Sequence, residues 1–336
     1  MKKIMLIIFV YISVLLLFSC EKREVYEAMS FNYFDTVSYI YSYGDETKND
    51  FNNNVREIFK IFEKYHKLLD IYNEYEGMNN LCIINKNAGK NFVEVEQDLI
   101  DFLLYCKYIY KITNGETNIM LGSVLNIWHE ARKKKEEVNI NLLEEASLYT
   151  NIEYLEIDQE LNRVRIGEAN ARIDVGAIAK GYVCEKVAEY LSKNNYTSYV
   201  LNLGGNVKMI GCKKDGGMWK TGIKDPKDIS KVKVSLNLSN TSCVTSGDYE
   251  RYYETDGKKY HHIIDKDTLF PANYFSSVTI ICEDSGLADA LSTALFCMDY
   301  NEGYNLIKQI GGIEVIWIDK NNDVFYTEGL DLKVYE

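Results

Sequence analysis

The sequence predicts an α+β fold, a single mixed domain of largely antiparallel sheets with helices packed on them. Three observations carry this. Alternating stretches come as close neighbours, as in Tyr154-Leu-Glu-Ile-Asp158 followed by Arg163-Val-Arg-Ile166, which reads as an antiparallel hairpin. Other stretches repeat apolar residues at helical spacing. No low-complexity linker and no internal repeat interrupts the chain after residue 30. At 336 residues and 46% hydrophobic content, the chain is long enough to bury a large core.

The elements follow in order. Residues 1–19 read as a signal peptide, with Lys2 and Lys3 before an apolar run too short and wrongly flanked for a typical spanning helix. That run ends in Leu17-Phe-Ser-Cys20, which resembles the bacterial lipobox. The match implies lipidation of Cys20, with residues 20–30 as a tether and 31–336 as the folded domain. The two acyl chains of a diacylglyceryl group suffice for stable membrane anchoring. An ordinary secretory signal or a short anchor is the alternative.

Phe31 to Tyr43 alternates and is rich in β-branched and aromatic residues, so it is expected to be a strand. Val55, Ile58, Phe59, Phe62, Tyr65 and Leu69 give a helix from Asn52 to Leu69, with Asn54 as its cap. A polar loop from Tyr72 precedes a short helix, and Asp98 to Ile112 is a second amphipathic helix that ends at Asn114-Gly115. A loop is expected up to Ile127-Trp128, with Lys133-Lys-Lys-Glu-Glu as a solvated stretch. After the 154–166 hairpin, Val183, Val187 and Leu191 form the apolar stripe of a helix. Strands are expected at 199–203, 207–211, 219–224, 232–238, 243–246 and 277–282, and His261-His262 is placed on another. A helix spans Ser285 to Met298, and 313–326 closes the chain as a hairpin around Asn321-Asn322.

The formal net charge is −12, and residues 1–19 contribute two lysines and no acids, which leaves −14 for the rest. Such an acidic body argues against nucleic acid as a partner, because phosphate backbones call for basic stripes. Eight cysteines include Cys20, so seven remain, with no Cys-x-x-Cys pair and no zinc-type histidine spacing. They are expected to be buried free thiols without a disulfide framework.

Three stretches could carry chemistry. Arg172-Ile-Asp-Val-Gly-Ala-Ile-Ala-Lys-Gly181 brings Asp174 to a small-residue turn, and Lys180 supplies a charge as a helix begins. Free N–H groups at such a helix start suit a phosphate, although a plain strand-to-helix connection has the same pattern. In Ala288-Asp-Ala-Leu-Ser-Thr-Ala-Leu295, Asp289 and Thr293 lie four apart on one helix face, with Ser292 nearby. One carboxylate, one hydroxyl and a neighbouring carbonyl suit Mg²⁺ if substrate phosphates and water complete its shell. A helix-dipole aspartate and a self-bonded threonine is the alternative. His261-His262 offers a proton acceptor or ring partner, one histidine facing a pocket and the other the core or solvent.

Six motifs in order carry a resemblance. They are Asp-x-Gly-x-Ile-Ala-Lys-Gly-Tyr at 174–182, Asn-Leu-Gly-Gly-Asn at 202–206 and Trp-x-x-Gly-Ile-x-Asp-Pro at 219–226. Val-Thr-Ser-Gly-Asp-Tyr-Glu-Arg-Tyr at 244–252, His-His-Ile-Ile-Asp at 261–265 and Ala-Asp-Ala-Leu-Ser-Thr-Ala at 288–294 complete the set. From about Phe34 to beyond Phe296 the chain resembles the ApbE family of FAD:protein FMN transferases, often bacterial lipoproteins with a T-fold-related architecture. The resemblance implies that FAD is the substrate, that FMN is attached by a phosphoester to a Thr or Ser of a target redox flavoprotein, that AMP leaves, and that Mg²⁺ is required. It implies a metal held by the Ala177 carbonyl, Asp289 and Thr293. It places Tyr72, Glu116, Thr117, Asn118, Asp174, Lys180 and Ile263 around FAD. His261 and His262, with Asp289, become the catalytic candidates.

The chain departs from the family pattern at three places. Gly115-Glu-Thr-Asn118 stands where Gly-x-Phe-Asp is usual, and Asp265-Lys-Asp-Thr-Leu-Phe-Pro271 lacks a proline and a glycine. Phe34-Asp-Thr replaces Met-Gly-Thr. These drifts keep two other readings in view, an FAD pyrophosphatase that yields FMN and AMP and a lipoprotein that binds FAD without turnover.

Overall fold

The first strand begins earlier than expected. The computed structural model describes residues 25–336, so the signal peptide and Cys20 lie outside the described residues. Residues 26–30, assigned above to a tether, already belong to β1 (Tyr26–Tyr33). Its inward positions Tyr26 and Ala28 pack on the core, while Met29 and Phe31 point outward and disguise the alternation. β1 pairs antiparallel with β2 (Thr36–Ser42). The expected single strand is therefore a hairpin, folded back at Phe34-Asp35, where both residues are left-handed with φ of 56° and 49°.

Helix α1 (Lys48–Leu68) starts about one turn before Asn52, where it was expected to begin. Thr47 and Asp50 form a reciprocal capping box. Asn54 is buried mid-helix instead, where its amide donates to the Tyr199 hydroxyl at 3.0 Å. α2 (Leu81–Lys86), β3 (Val93–Glu94) and α3 (Gln97–Ile112) follow. The next segment corrects the expected loop, because it forms α4 (Gly122–Lys134) and α5 (Ile140–Ser147). Val124, Trp128 and Ala131 line the buried face of α4, a three-residue stripe too short to stand out among polar neighbours. β4 (Leu155–Asp158) and β5 (Arg163–Ile166) pair as expected, and β3 joins them.

After α6 (Ala179–Lys193) come β6 (Ser198–Leu203), β7 (Asn206–Gly211), β8 (Trp219–Asp225), β9 (Asp228–Leu238) and β10 (Ser242–Gly247). β11 (Tyr252–Thr255) and β12 (Lys258–His261) form a small hairpin that ends before His262. β13 (Phe275–Cys282), α7 (Ser285–Phe296), α8 (Tyr300–Ile310), β14 (Glu314–Asp319), β15 (Val324–Tyr326) and β16 (Leu332–Val334) complete the described chain. The main sheet has eight strands in the order β1-β2-β6-β7-β10-β13-β14-β15, antiparallel at every pairing.

Strand alternation splits this sheet between two cores. From β14, Val315 and Trp317 pack against α7 and α8, whereas Ile316 and Ile318 face Trp219, Ile223 and Val234 of the β16-β9-β8 sheet. The third cluster gathers around Trp128. Val183, Val187 and Leu191 of α6 are fully buried, as their spacing predicts. Helices α6 and α7 pack on each other over the main sheet, and that contact positions the site. The seven described cysteines are free, and burial pushes the thiols of Cys184, Cys243 and Cys282 up to about 12, which leaves them protonated and inert.

Candidate active site

The site grows from the start of α6. Asp174 ends the segment that precedes it, and its N–H donates to the Ile119 carbonyl at 2.8 Å. One carboxylate oxygen accepts from Gly176 N–H at 2.9 Å, which bends the chain through Gly176 and Ala177 into the helix. Ile178 gives no side-chain cap, so the first N–H groups of α6 look for other acceptors. Gly181 finds one in Asp289 of α7, whose Oδ2 accepts its N–H at 2.9 Å. Lys180 places its ammonium 3.7 Å from the same oxygen and donates to the Gly176 carbonyl at 3.3 Å.

The turn and the helix, 108 residues apart at Gly181 and Asp289, thus share one carboxylate. Asp289 is 4% exposed. Burial raises its pKa, and Lys180, Gly181 N–H and the Asn206 side chain oppose that rise. Ser292 donates back to the Asp289 carbonyl at 2.8 Å and meets Ser246 of β10 at 2.8 Å. Thr293 is held more lightly, 3.5 Å from Ser246, and is only partly buried.

This set fits a hard cation of the Mg²⁺ type. No group of three or more His, Cys, Asp and Glu side chains suited to a metal exists among the described residues, so a site built from several carboxylates is not present. The Asp289 carboxylate and the Thr293 hydroxyl on one helix face remain, a sparse oxygen set that would need substrate phosphates to complete a cation's shell. The buried Oδ1 of Asn206, beside Asp289, has no hydrogen-bond partner.

The other side of the turn holds Tyr72. Its hydroxyl lies 2.9 Å from His129 Nδ1, and His129 Nε2 lies 3.9 Å from the free carboxylate oxygen of Asp174. The sequence reading placed Tyr72 and Asp174 here but missed His129, because it sits on α4, which was expected to be a loop. The helical spacing of Val124, Trp128 and Ala131 is the signal that would have placed it.

The 116–118 loop is tied into the fold by its own side chains. Thr117 is 3% exposed and its hydroxyl donates to the Ala290 carbonyl of α7 at 2.9 Å. Asn118 donates to the Thr150 carbonyl at 2.8 Å and accepts from Met120 N–H at 2.9 Å. Both side chains brace the loop. Glu116 is half-buried and 3.2 Å from Lys266, and burial raises its pKa against the opposing pull of that lysine.

The two histidines divide sharply. His261 is buried, with Nε2–H donating to the Ala272 carbonyl at 2.8 Å and Nδ1 accepting from Ile263 N–H at 3.3 Å. Its ring meets Phe296 edge-on at 5.6 Å. Both ring nitrogens are thus engaged within the fold. The Ile263 side chain is core and its carbonyl accepts from Ala272 N–H. His262 is solvent-accessible and its Nδ1–H donates to the Arg251 carbonyl at 3.1 Å, which leaves Nε2 as an acceptor. Partial desolvation, then the charges of Arg251, His261 and Lys180, lower its pKa, though open water screens part of that effect.

The altered 265–271 stretch forms a turn, closed by Asp265 N–H donating to the Phe270 carbonyl at 2.9 Å. Asp265 accepts from Asp267 and Thr268 N–H groups, and Leu269 adopts the left-handed φ of 63° where the family glycine is absent. The Trp128 indole donates to the Leu269 carbonyl at 2.9 Å and ties α4 to this turn.

Comparison with known proteins gives a consistent answer. The ApbE family model matches residues 34–317. The FAD:protein FMN transferase of Klebsiella pneumoniae (strain 342) is 30% identical over 269 residues, which is 80% of this chain and 82% of that protein. That of Treponema pallidum (strain Nichols) is 28% identical over 291 residues, 82% of this chain and 80% of its own. Among solved structures, the ApbE protein of Thermotoga maritima superposes with a TM-score of 0.81 at 27% identity, covering 91% of this chain and 98% of its own. The Vibrio cholerae flavin transferase ApbE shares the fold at a TM-score of 0.77 and 24% identity, covering 90% and 96%. Both halves of the shared-carboxylate site fall inside the matched stretch, and the chain belongs to the ApbE family.

Proposed function

We propose that this chain is an FAD:protein FMN transferase that acts with Mg²⁺. A threonine or serine hydroxyl of a target protein attacks the phosphorus of the FMN half of FAD. The pyrophosphate P–O bond breaks, FMN stays on the target as a phosphoester, and AMP leaves. The observation that carries this reading is a buried carboxylate, Asp289, held by Lys180 and Gly181 N–H in the first turn of α6. The names of the relatives, which match four-fifths of the chain, support it.

Asp289, Thr293 and the Ala177 carbonyl would hold the metal, which when bound supplies positive charge to the pyrophosphate oxygens and the leaving group. Lys180 adds a second positive charge at the same point, and phosphoryl transfer rests on such positioning and neutralisation. Tyr72 and Asp174 form the flavin side. His262, neutral and with Nε2 available, takes the proton of the acceptor hydroxyl, a contribution typically of ~10²–10⁴-fold. The partners are target redox flavoproteins. The enzyme is lipid-anchored through Cys20 on the outer side of the cytoplasmic membrane, and Cys20→Ser should release it from membranes.

Protein starting at residue 21, which keeps β1 whole, is incubated with FAD, Mg²⁺ and a threonine-bearing acceptor flavoprotein. A fluorescent acceptor band together with AMP supports the transferase. FMN and AMP without a labelled band would instead establish a pyrophosphatase, and unchanged FAD a binding protein.

A further inference from the structure

We propose that His129 is a positioning residue that holds the Tyr72 hydroxyl by a hydrogen bond, beside the Asp174 carboxylate, and so fixes the aromatic wall of the flavin site. The inference rests on the transferase reading for the identity of the ligand, and on geometry for the clamp. Nothing in the sequence motifs above includes His129.

The three side chains come from separate parts of the chain, the loop after α1, helix α4 and the turn before α6. Tyr72 Oη lies 2.9 Å from Nδ1, and Nε2 lies 3.9 Å from Asp174 Oδ2. At 3.9 Å the Asp174 carboxylate makes no hydrogen bond, but its charge on the Nε2 side favours the tautomer with the proton there, in which Nδ1 accepts from the phenol O–H. Tyr72 can donate because its pKa is pushed up to about 12, by burial first and then by the charge of Asp174, so the phenol keeps its proton. Burial lowers the His129 pKa despite Asp174, with Arg132, Arg172 and Lys133 adding to the drop, so Nδ1 stays unprotonated near neutrality.

The consequence lies in Tyr72 itself, which is 50% exposed. An exposed tyrosine ring on a loop turns freely, and ordering it on binding costs affinity. Here its hydroxyl is tied at one end, its ring is tilted 49° from that of His129, and the Lys133 ammonium stands 6.0 Å over it. A flat, pre-set aromatic face with cationic groups nearby suits a planar, electron-poor ring system that carries phosphates, which is the flavin half of FAD. Trp128, one residue earlier, ties the same helix to the 265–271 turn, so α4 is held on both sides of His129.

The test uses the full-length protein and two probes, FAD and ADP, the latter standing for the adenine half alone. His129→Phe keeps the ring volume and removes the hydrogen bond to Tyr72. It should weaken FAD binding about fivefold, the weight of one hydrogen bond, with ADP binding unchanged. His129→Asn places an oxygen where Nδ1 stood and should restore most of the FAD affinity. Nitrogen NMR of the wild-type imidazole should show Nδ1 bare and Nε2 protonated, and Tyr72→Phe should shift the Nδ1 signal. FAD binding by His129→Phe equal to that of the wild type would overturn the clamp. So would equal weakening of ADP, or a His129→Asn variant no better than His129→Phe. Wild-type protein that ignores FAD while its imidazole shows the stated tautomer would sink the transferase reading instead, and with it the flavin assignment of the clamp.

Discussion

Gly181 and Ser285 mark the closest approach of the two helices that build the site: a β-carbon on Gly181 would lie 2.2 Å from the Ser285 carbonyl oxygen. It would also lie 2.6 Å from the β-carbon of Asp289. The obstacle is mostly backbone, so it cannot swing aside as a flexible side chain would. Gly181→Ala should therefore push α7 off α6, cost about 2 kcal/mol or more, and abolish turnover. Chemical denaturation and the AMP-release assay read the two effects, and a variant of wild-type stability would refute this account of the helix contact.

Asp289→Asn separates function from stability. Ionised Asp289 is buried at a cost, which its raised pKa reports, and Asn keeps an oxygen for Gly181 N–H. Without metal the variant should melt no lower than the wild type, with a gain on the order of 1 kcal/mol. Mg²⁺ should raise the melting temperature of the wild type and leave the variant unmoved. Equal responses to Mg²⁺ in the two proteins would remove Asp289 from the metal site.

The histidine pair gives opposite expectations. His262→Ala should cut kcat by about 10²-fold with little change in stability, since its ring is open to solvent. His261→Ala should destabilise the fold by roughly 1–3 kcal/mol, because it orphans the Ala272 carbonyl and Ile263 N–H. A stability loss in the first variant and a pure kcat loss in the second would reverse these assignments.

Acid should weaken the fold through His261. Burial lowers its folded pKa below the unfolded value, with the Ala272 carbonyl pulling the other way. Below pH ~6.5 the unfolded chain takes up a proton that the folded chain refuses. Stability then drops as pH falls, by up to about 1.4 kcal/mol per pH unit until the folded pKa is reached. His261→Gln, which cannot titrate, should flatten that part of the denaturation profile, and an unchanged slope would show that another group is responsible.

The first hairpin carries a removable strain. Asp35 is left-handed beside a left-handed Phe34, in a two-residue turn that favours glycine. Asp35→Gly should raise stability by about 0.5 kcal/mol. Urea midpoints of the two proteins measure this directly.

Much of this was legible in the sequence because period and motif coincide there. Val183, Val187 and Leu191 announced α6, and the Asp289-to-Thr293 spacing announced a helix face with oxygens on it. α4 was not legible, since its apolar stripe is three residues among lysines and asparagine, and His129 went unseen with it. For Thr117 and Asn118, local sequence cannot tell which carbonyl a short polar side chain will find. Only the packing of α7 beneath the loop decides that. The start of β1 was missed for the opposite reason, since outward Met29 and Phe31 look like core.

The shared carboxylate also sets a schedule for synthesis. A nascent chain that stops short of residue 285 holds α6 with Gly181 facing nothing, Lys180 without its counter-ion and Glu185 without the Ser285 N–H that it accepts at 2.9 Å. α7 packs on β10 and β13, so it has no platform until those strands are in place. The nucleotide pocket is therefore among the last parts of the molecule to exist, and partial translation products carry the turn without its affinity.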